Sequence, residues 1–238
     1  MREDEAFAGR SLVDYFGGPS SVSMSNGEDP PDLYLTIAKS RIAVEVTRLS
    51  QFTFEPNGIL GNRATQDAFG VKTLNDLNVD VGPSLPDNVS LLIGLTVPVE
   101  NARRFRKELK QWVKKVALIA TEGFTEERDI DGEPVSISAI ARRPSNKAIA
   151  GFVSNSNSSA DISLNALLVL EERIRKKHEI CVPLAQPLWL AMLNDYWLAD
   201  ARTYQLASQK IELNHCFERL FVISDSGVVS ELQIGIHI

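Results

Sequence analysis

The clearest pattern in the chain is a pair of segments in which apolar and polar residues alternate. Leu33 to Ile37 and Ile42 to Arg48 follow a period of two on either side of Lys39-Ser40. Alternation of this kind around a short polar turn is typical of a β-hairpin. The pattern therefore predicts two antiparallel strands early in the chain.

Elsewhere the apolar residues recur at helical spacing or in short continuous runs. After Asn101, the residues Phe105, Leu109 and Trp112 share one side, which predicts a long amphipathic helix up to Ala120. The acidic run 126–133 is predicted to be a turn, and the stretches 20–29 and 53–88 to be mostly irregular. Further helices are predicted over 3–16, 161–178 and 198–213, and further strands over 90–99, 135–141, 147–153, 187–193, 219–224 and 228–234.

This mixture of hairpins and strand–helix–strand units indicates an α/β fold. The 238 residues, 44% of them hydrophobic, are enough for a globular protein with its own core. We expect one domain over residues 1–238, with a central mixed β-sheet flanked by helices. The hairpin at about 126–153 is predicted to be inserted into this domain.

The net charge of −6 conceals a basic middle region. Residues 101–178 hold 15 bases and 10 acids, whereas both flanks are acidic. Clustered bases complement a phosphate backbone, so the acidic average does not exclude a DNA partner. A solvated helix face is the alternative for such a run. The candidate phosphate contacts are Arg103, Arg106, Lys107, Lys110 and Lys114 on the predicted helix, with Arg142 and Arg143 near the inserted hairpin.

Cysteine content and hydropathy bear on the compartment. The chain has two cysteines, too few for a secreted disulfide framework. Its first residues lack the apolar core of a signal peptide, and no apolar run reaches the roughly 18 residues of a membrane span. We therefore expect a cytoplasmic protein with no membrane partner.

The hairpin carries the most informative polar residues. With Lys39-Ser40 as the turn, Asp32 lies opposite Thr47, and parity places Asp32, Glu45 and Thr47 on one face. Two carboxylates at a strand end are suitable ligands for Mg²⁺ or Mn²⁺, and they leave coordination positions open for water and a phosphate oxygen. A strand-entry role for Asp32 and a solvated position for Glu45 are the alternatives.

In these residues the chain resembles the restriction-endonuclease-like, or PD-(D/E)XK, nuclease superfamily. Pro31-Asp32 matches the PD element, and Glu45-Val46-Thr47 occupies the (D/E)XK element on the second strand. The resemblance implies a restriction-endonuclease-like fold and metal-dependent hydrolysis of DNA. It also implies that Asp32, Glu45 and the Val46 carbonyl bind the metal. Glu5 on the first helix corresponds in position to an acid that some members add to the site.

Thr47 departs from the family pattern because it stands where the motif has lysine. Threonine can hydrogen-bond a water but brings no positive charge. Lys39 and Lys72 are the candidates for a migrated lysine. The departure keeps open a catalytically inactive member that binds nucleic acid or another protein, and a homodimer is also left open. An unrelated small-molecule enzyme is disfavoured, since no glycine-rich phosphate loop or nucleophile elbow is present.

Overall fold

The computed structural model describes residues 1–54, 60–143, 146–184 and 187–234. It divides into two compact units, the first formed by 1–52 and 159–238 and the second by 53–158. Each unit combines helices with a mixed β-sheet, which confirms the predicted α/β class. The single domain over 1–238 stays a prediction.

The helices of the first unit are α1 (Glu3–Tyr15), α4 (Ile162–Cys181) and α5 (Ala201–Ser208), and its strands are β1 (Val22–Asn26), β2 (Leu33–Ile37), β3 (Ser40–Leu49), β10 (Leu188–Asn194), β11 (Arg219–Ile223) and β12 (Val229–Leu232). These strands form one six-stranded sheet with the order β1-β2-β3-β10-β11-β12. Strands β3, β10 and β11 run parallel, whereas the outer strands pair antiparallel.

Strand β3 is covered on both faces. Its residues Val44 and Val46 pack with Leu12 of α1 in one apolar core. Helix α4 packs against β3 as well, and α5 packs against α4. Parity along the strand directs Glu45 away from the Val44 and Val46 face. Glu45, in the middle of β3, is therefore buried although it is polar.

The elements of the second unit are β4 (Phe52–Phe54), which spans the unit boundary, β5 (Leu60–Asn62), α2 (Arg63–Asp80), β6 (Val89–Val97), α3 (Ala102–Ala117), β7 (Thr125–Ile130), β8 (Glu133–Ala141) and β9 (Ile149–Asn155), with a 3₁₀ turn over Gly82–Ser84. Four of its strands form a sheet with the order β7-β8-β6-β9. Apolar residues of α2 and α3 form a core with one face of this sheet.

Among the described residues, no helix is both long and apolar enough to cross a membrane.

Several elements differ from the sequence predictions. The stretch 53–88, predicted to be mostly irregular, contains the 18-residue helix α2. Its buried residues Gly70, Thr73, Leu74 and Leu77 give only a weak apolar stripe. The acidic run predicted to be a turn includes β7, an edge strand with mostly exposed side chains. The two strands predicted as one hairpin, β8 and β9, instead pair on opposite sides of β6. The hairpin itself consists of β7 and β8.

Candidate functional site

The turn of the β2–β3 hairpin lies one residue earlier in the chain than the sequence pattern predicts. Ala38 and Lys39 both have positive φ values, 48° and 73°, and Ile37 pairs with Ser40. A two-residue turn with both central residues at positive φ is the type I′ geometry that suits antiparallel strands. The ladder therefore pairs Leu33 with Val44. One step further along this register, Asp32 lies opposite Glu45 rather than Thr47.

The partner of Asp32 on β3 thus differs from the prediction by two positions. Because side chains alternate with a period of two, Asp32 and Glu45 still lie on the predicted face. It also brings the two carboxylates closer than the predicted diagonal arrangement. Asp32 is 5% exposed and Glu45 is 2% exposed. Ionised groups at this depth are costly unless they are paired with donors or cations. The partners of each oxygen atom therefore decide what the site can do.

The backbone of β3 holds the Asp32 carboxylate. Its Oδ2 atom accepts a hydrogen bond from the Val46 N–H at 2.7 Å. Strand β2 begins at Leu33, so the Asp32 side chain satisfies a β3 donor beyond the end of the β2 ladder. This contact fixes the orientation of Asp32 toward Glu45.

Helix α4 supplies a lysine to the Glu45 carboxylate. The Lys177 Nζ atom contacts Glu45 Oε1, and the Lys177 side chain is 21% exposed. Glu45 Oε2 is buried and has no hydrogen-bond partner among the described residues. One oxygen of Glu45 thus has a cation beside it, while the other is left for a ligand.

The start of helix α1 adds a second acid and a second base. Glu5, the acid expected at the site, is 6% exposed and accepts a hydrogen bond from the Arg2 backbone N–H at 2.6 Å. The Arg2 guanidinium contacts the Glu5 carboxylate and also donates to Asp32 Oδ1 at 3.0 Å. Arg2 therefore joins α1 to the hairpin, although its side chain is 67% exposed.

The carboxyl groups of this cluster differ in acidity. Burial raises the pKa of Asp32 to about 6, and the Glu45 charge acts in the same direction. Burial also tends to raise the pKa of Glu5, but hydrogen bonds from Arg2 outweigh it and hold that pKa below its usual range. Glu5 is therefore ionised near neutral pH, and it stabilises a proton on the adjacent Asp32.

One turn beyond Lys177, helix α4 places Cys181 in the interior. This thiol is fully buried, and burial raises its pKa to about 12. A thiol of that acidity stays protonated and is a poor nucleophile. The chemistry of the site therefore depends on its carboxylates and its ammonium group.

The structure also describes the surroundings of the other residues that were predicted for the site. Lys39 is exposed in the turn, and the five residues of β2 separate it from Asp32, a distance of roughly 20 Å at the rise of a β-strand. Lys72 lies on α2 in the second unit and pairs with Asp76 at 3.6 Å. Thr47 is half-buried and pairs with Met192 of β10. A lysine is present at the site, and α4 provides it.

The oxygen donors of Asp32 and Glu45 decide whether the site suits a divalent cation. No group of three or more His, Cys, Asp or Glu side chains suited to a metal ion occurs within the described ranges. The site instead offers two facing carboxylates, and the buried Glu45 Oε2 lacks a partner in the described part of the chain. Oxygen donors of this kind suit Mg²⁺ or Mn²⁺, which bind one or two carboxylates and keep several waters. The Val46 carbonyl as a third ligand stays a prediction.

The predicted phosphate contacts lie in the second unit and fall into two groups. Arg106 donates to Thr73 Oγ1 at 3.1 Å and lies over the Phe69 ring, and Lys110 pairs with Asp80 at 2.5 Å. By contrast, the exposed Arg103, Lys107 and Lys114 form no ion pair with a described residue. Arg143 is exposed and Arg142 is half-buried, and both follow β8. The bases without ion pairs stay candidates for the predicted phosphate contacts.

Sequence reasoning missed Lys177 and Arg2. A signal for Lys177 was present, since it follows Leu170 and Ile174 and precedes Cys181 at helical spacing, and these three residues are buried. A lone cation on the buried side of a helix indicates a buried acid opposite it. Arg2 lies just before α1 and carries no comparable signal.

Comparison with known proteins adds no relative to this picture. No family model, no curated protein and no solved structure matches the chain.

Proposed function

We propose that the first unit is a divalent-cation-dependent nuclease of the restriction-endonuclease-like type, which hydrolyses phosphodiester bonds of DNA. The observation that supports this proposal most strongly is the contact of Lys177 with Glu45 directly opposite Asp32. The motif lysine is absent at Thr47, and a lysine on α4 offers the same charge to the same pair of acids.

In the proposed mechanism, Asp32 and Glu45 would hold Mg²⁺ or Mn²⁺, with Asp32 Oδ1 and Glu45 Oε2 as the donors; Glu45 Oε2 has no hydrogen-bond partner among the described residues. When bound, such a cation would polarise a phosphate oxygen and lower the pKa of water at the site. The Val46 N–H keeps the Asp32 carboxylate in place. The Arg2 guanidinium, which is largely exposed, would give up its contact with Asp32 Oδ1.

Lys177 has two roles in this mechanism. Its ammonium orients the attacking water by hydrogen bonding and stabilises the negative charge that develops on the phosphate. Its contact with Glu45 holds it at the site before substrate arrives. The exposed bases Arg103, Lys107 and Lys114 would contribute phosphate contacts. We expect this activity in the cytoplasm, where the thiols of Cys181 and Cys216 stay reduced.

The test is a cleavage assay with Mg²⁺ or Mn²⁺ on plasmid and single-stranded DNA. We expect cleavage by the native chain and losses of about a hundredfold or more for Asp32→Asn, Glu45→Gln and Lys177→Met. Lys176→Met is the matched control, because Lys176 is exposed and pairs with Glu172 instead. Cleavage that survives all three site substitutions would exclude the proposed site.

A second candidate function is a catalytically inactive module that binds nucleic acid or another protein. The charge balance of the cluster favours it, since Arg2 and Lys177 together offset most of the charge of Glu5, Asp32 and Glu45. Such a balanced network can serve the fold alone. Titration calorimetry separates the two functions. Mn²⁺ binding that is lost in Glu45→Gln supports the nuclease, whereas DNA binding without Mn²⁺ binding or turnover supports the inactive module.

A further inference from the structure

The two edges of the sheet in the second unit are unlike each other. Edge strand β7 has four charged residues among its six, which protects an exposed edge against pairing with other chains. Edge strand β9 reads Ile-Ala-Gly-Phe-Val-Ser-Asn and holds neither a charge nor a proline. Strand β9 is therefore the edge without the usual protection.

The outer hydrogen-bonding groups of β9 can be assigned from its ladder with β6. The Ile149 N–H points away from β6 and is capped by Asn78 Oδ1 at 2.9 Å. Since alternate residues of a strand direct their N–H groups to the same side, Gly151 and Val153 also point outward. Neither N–H forms a hydrogen bond with another described residue. Within the described ranges, no strand pairs with the middle of this edge.

Apolar side chains border this edge on both faces of the sheet. On the open face Phe152 is 56% exposed, and a Cβ atom at Gly94 would lie 2.6 Å from its ring. The lack of a side chain at Gly94 lets the Phe152 ring lie across β6. On the helical face Gly70 contacts Val153, and the next residue of α2, Val71, is 50% exposed. An unpaired edge is thus flanked by exposed apolar surface.

We propose that this edge binds a second copy of the chain, with β9 pairing antiparallel to β9 about a two-fold axis at Phe152. In this register Gly151 of each copy lies opposite Val153 of the other, so the outward-facing residues form hydrogen-bonded pairs. Phe152 lies opposite Phe152 at a non-hydrogen-bonded position, where side chains approach most closely. The result is a symmetric dimer with a continuous eight-stranded sheet.

Charge also favours a second copy as the partner. The whole chain carries −6, but residues 53–158 hold 13 acids and 13 bases, so this unit is neutral. Two copies of it can approach without net repulsion. The strand itself is uncharged, so no like charges face each other in the symmetric register.

The test measures the mass of the full chain in solution by light scattering and sedimentation over a wide range of concentration. We expect a dimer, and we expect Phe152→Lys to weaken it by about tenfold or more, because two ammonium groups then face each other. Thr125→Lys is the matched control, since Thr125 lies on the same open face but on strand β7. A chain that stays monomeric, or a dimer unaffected by Phe152→Lys, overturns the proposal.

A cysteine variant tests the register. In a Cys216→Ser background, Phe152→Cys should form a disulfide between two copies under mild oxidation, because opposed non-hydrogen-bonded residues have Cα atoms within disulfide range. Cys181 is fully buried and does not compete. Thr125→Cys should give no such product. A dimer in which Phe152→Cys does not cross-link contradicts pairing about Phe152.

Discussion

The ammonium group of Lys177 on α4 contacts the carboxylate of Glu45 on β3, although 132 positions separate the two residues in the chain. Glu45 is buried, and its other oxygen has no partner among the described residues. The pair therefore does more than join a helix to a strand. It brings a positive charge to a carboxylate that lies opposite a second carboxylate, that of Asp32.

The stability of the chain should depend strongly on this pair. Lys177→Met leaves the Glu45 carboxylate buried without its cation, so we expect the free energy of unfolding to fall by about 3 kcal/mol. The double variant Lys177→Met/Glu45→Gln should recover a large part of this loss, because it also removes the buried charge. Urea unfolding measures both effects. Lys176→Met should cost clearly less, because Lys176 is exposed and Glu172 keeps Arg173 beside it at 3.4 Å, and an equal loss in this control would contradict the argument.

Asp32 should make the metal-free protein less stable as the pH rises. Its pKa is about 6 in the folded chain and roughly 4 in an unfolded one. A raised carboxyl pKa contributes stability that is complete below the unfolded value and is lost as the pH rises through the folded value. The expected loss between about pH 4 and pH 6 is at most about 3 kcal/mol.

The measurement compares unfolding of the native chain and of Asp32→Asn in EDTA across this pH range. Because Glu5 has a lowered pKa and contributes the opposite trend, only the difference between the two chains isolates Asp32. We expect the native chain to lose stability relative to Asp32→Asn as the pH increases. Parallel curves would show that Asp32 keeps an ordinary pKa.

Gly27 should be essential to the position of Asp32. A Cβ atom at Gly27 would lie 1.8 Å from the Pro31 carbonyl oxygen, and the Gly27 N–H donates to the Asp32 carbonyl at 3.0 Å. Gly27→Ala must therefore displace the Pro31-Asp32 backbone. We expect a loss of about 1–3 kcal/mol in the free energy of unfolding and weaker Mn²⁺ binding by calorimetry. Ser25→Ala, at an exposed position of β1, should leave both the free energy of unfolding and Mn²⁺ binding unchanged.

Removing Arg2 should strengthen metal binding. Its guanidinium donates to Asp32 Oδ1 and so competes with a cation for that oxygen. Arg2→Gln removes this positive charge, and we expect calorimetry to give a Mn²⁺ affinity about tenfold higher. Arg10→Gln, on α1, is the control for the change in net charge. An unchanged affinity in Arg2→Gln would mean that Asp32 Oδ1 is not a ligand.

The bases of α3 should contribute unequally to DNA binding. Arg103 and Lys107 lack an ion pair with a described residue, whereas Arg104 pairs with Glu108 at 2.9 Å and with Asp131 at 3.1 Å. We expect Arg103→Gln/Lys107→Gln to lower the affinity and to reduce the slope of log affinity against log salt by about 2. Arg104→Gln should have little effect. Equal losses in both variants would contradict this division.

The hairpin shows how far the sequence alone leads. Period-two alternation in Leu33–Ile37 and Ile42–Arg48 predicts both strands and the shared face of Asp32 and Glu45, because parity does not depend on the turn. The turn residues are harder to predict, since Ala38 and Lys39 adopt positive φ values that residues other than glycine rarely take. The predicted partner of Asp32, Thr47, is therefore wrong by two positions, whereas the face predicted for the Asp32 side chain is right.

Strand β7 and helix α2 could not be predicted, because the apolar pattern is weak where few side chains are buried. Strand β7 has four consecutive charged residues on an exposed edge, and α2 has Gly and Asn within its helix. The contact of Lys177 with Glu45 depends on how α4 crosses β3, and local periodicity carries no information about such a crossing. Long-range contacts of this kind set the chemistry of the site.

Residues 53–158 lie between the two segments of the first unit in the sequence, and this order affects folding during synthesis on the ribosome. Strand β3 is made early, but its parallel neighbour β10 and the lysine that meets Glu45 are made only after the whole second unit. Domains generally fold as units during translation, so the second unit can fold while Glu45 still lacks its cation. A nascent chain truncated before residue 177 would therefore present both acids without the ammonium group. The proposed nuclease would acquire its activity only after the second unit and helix α4 have been made.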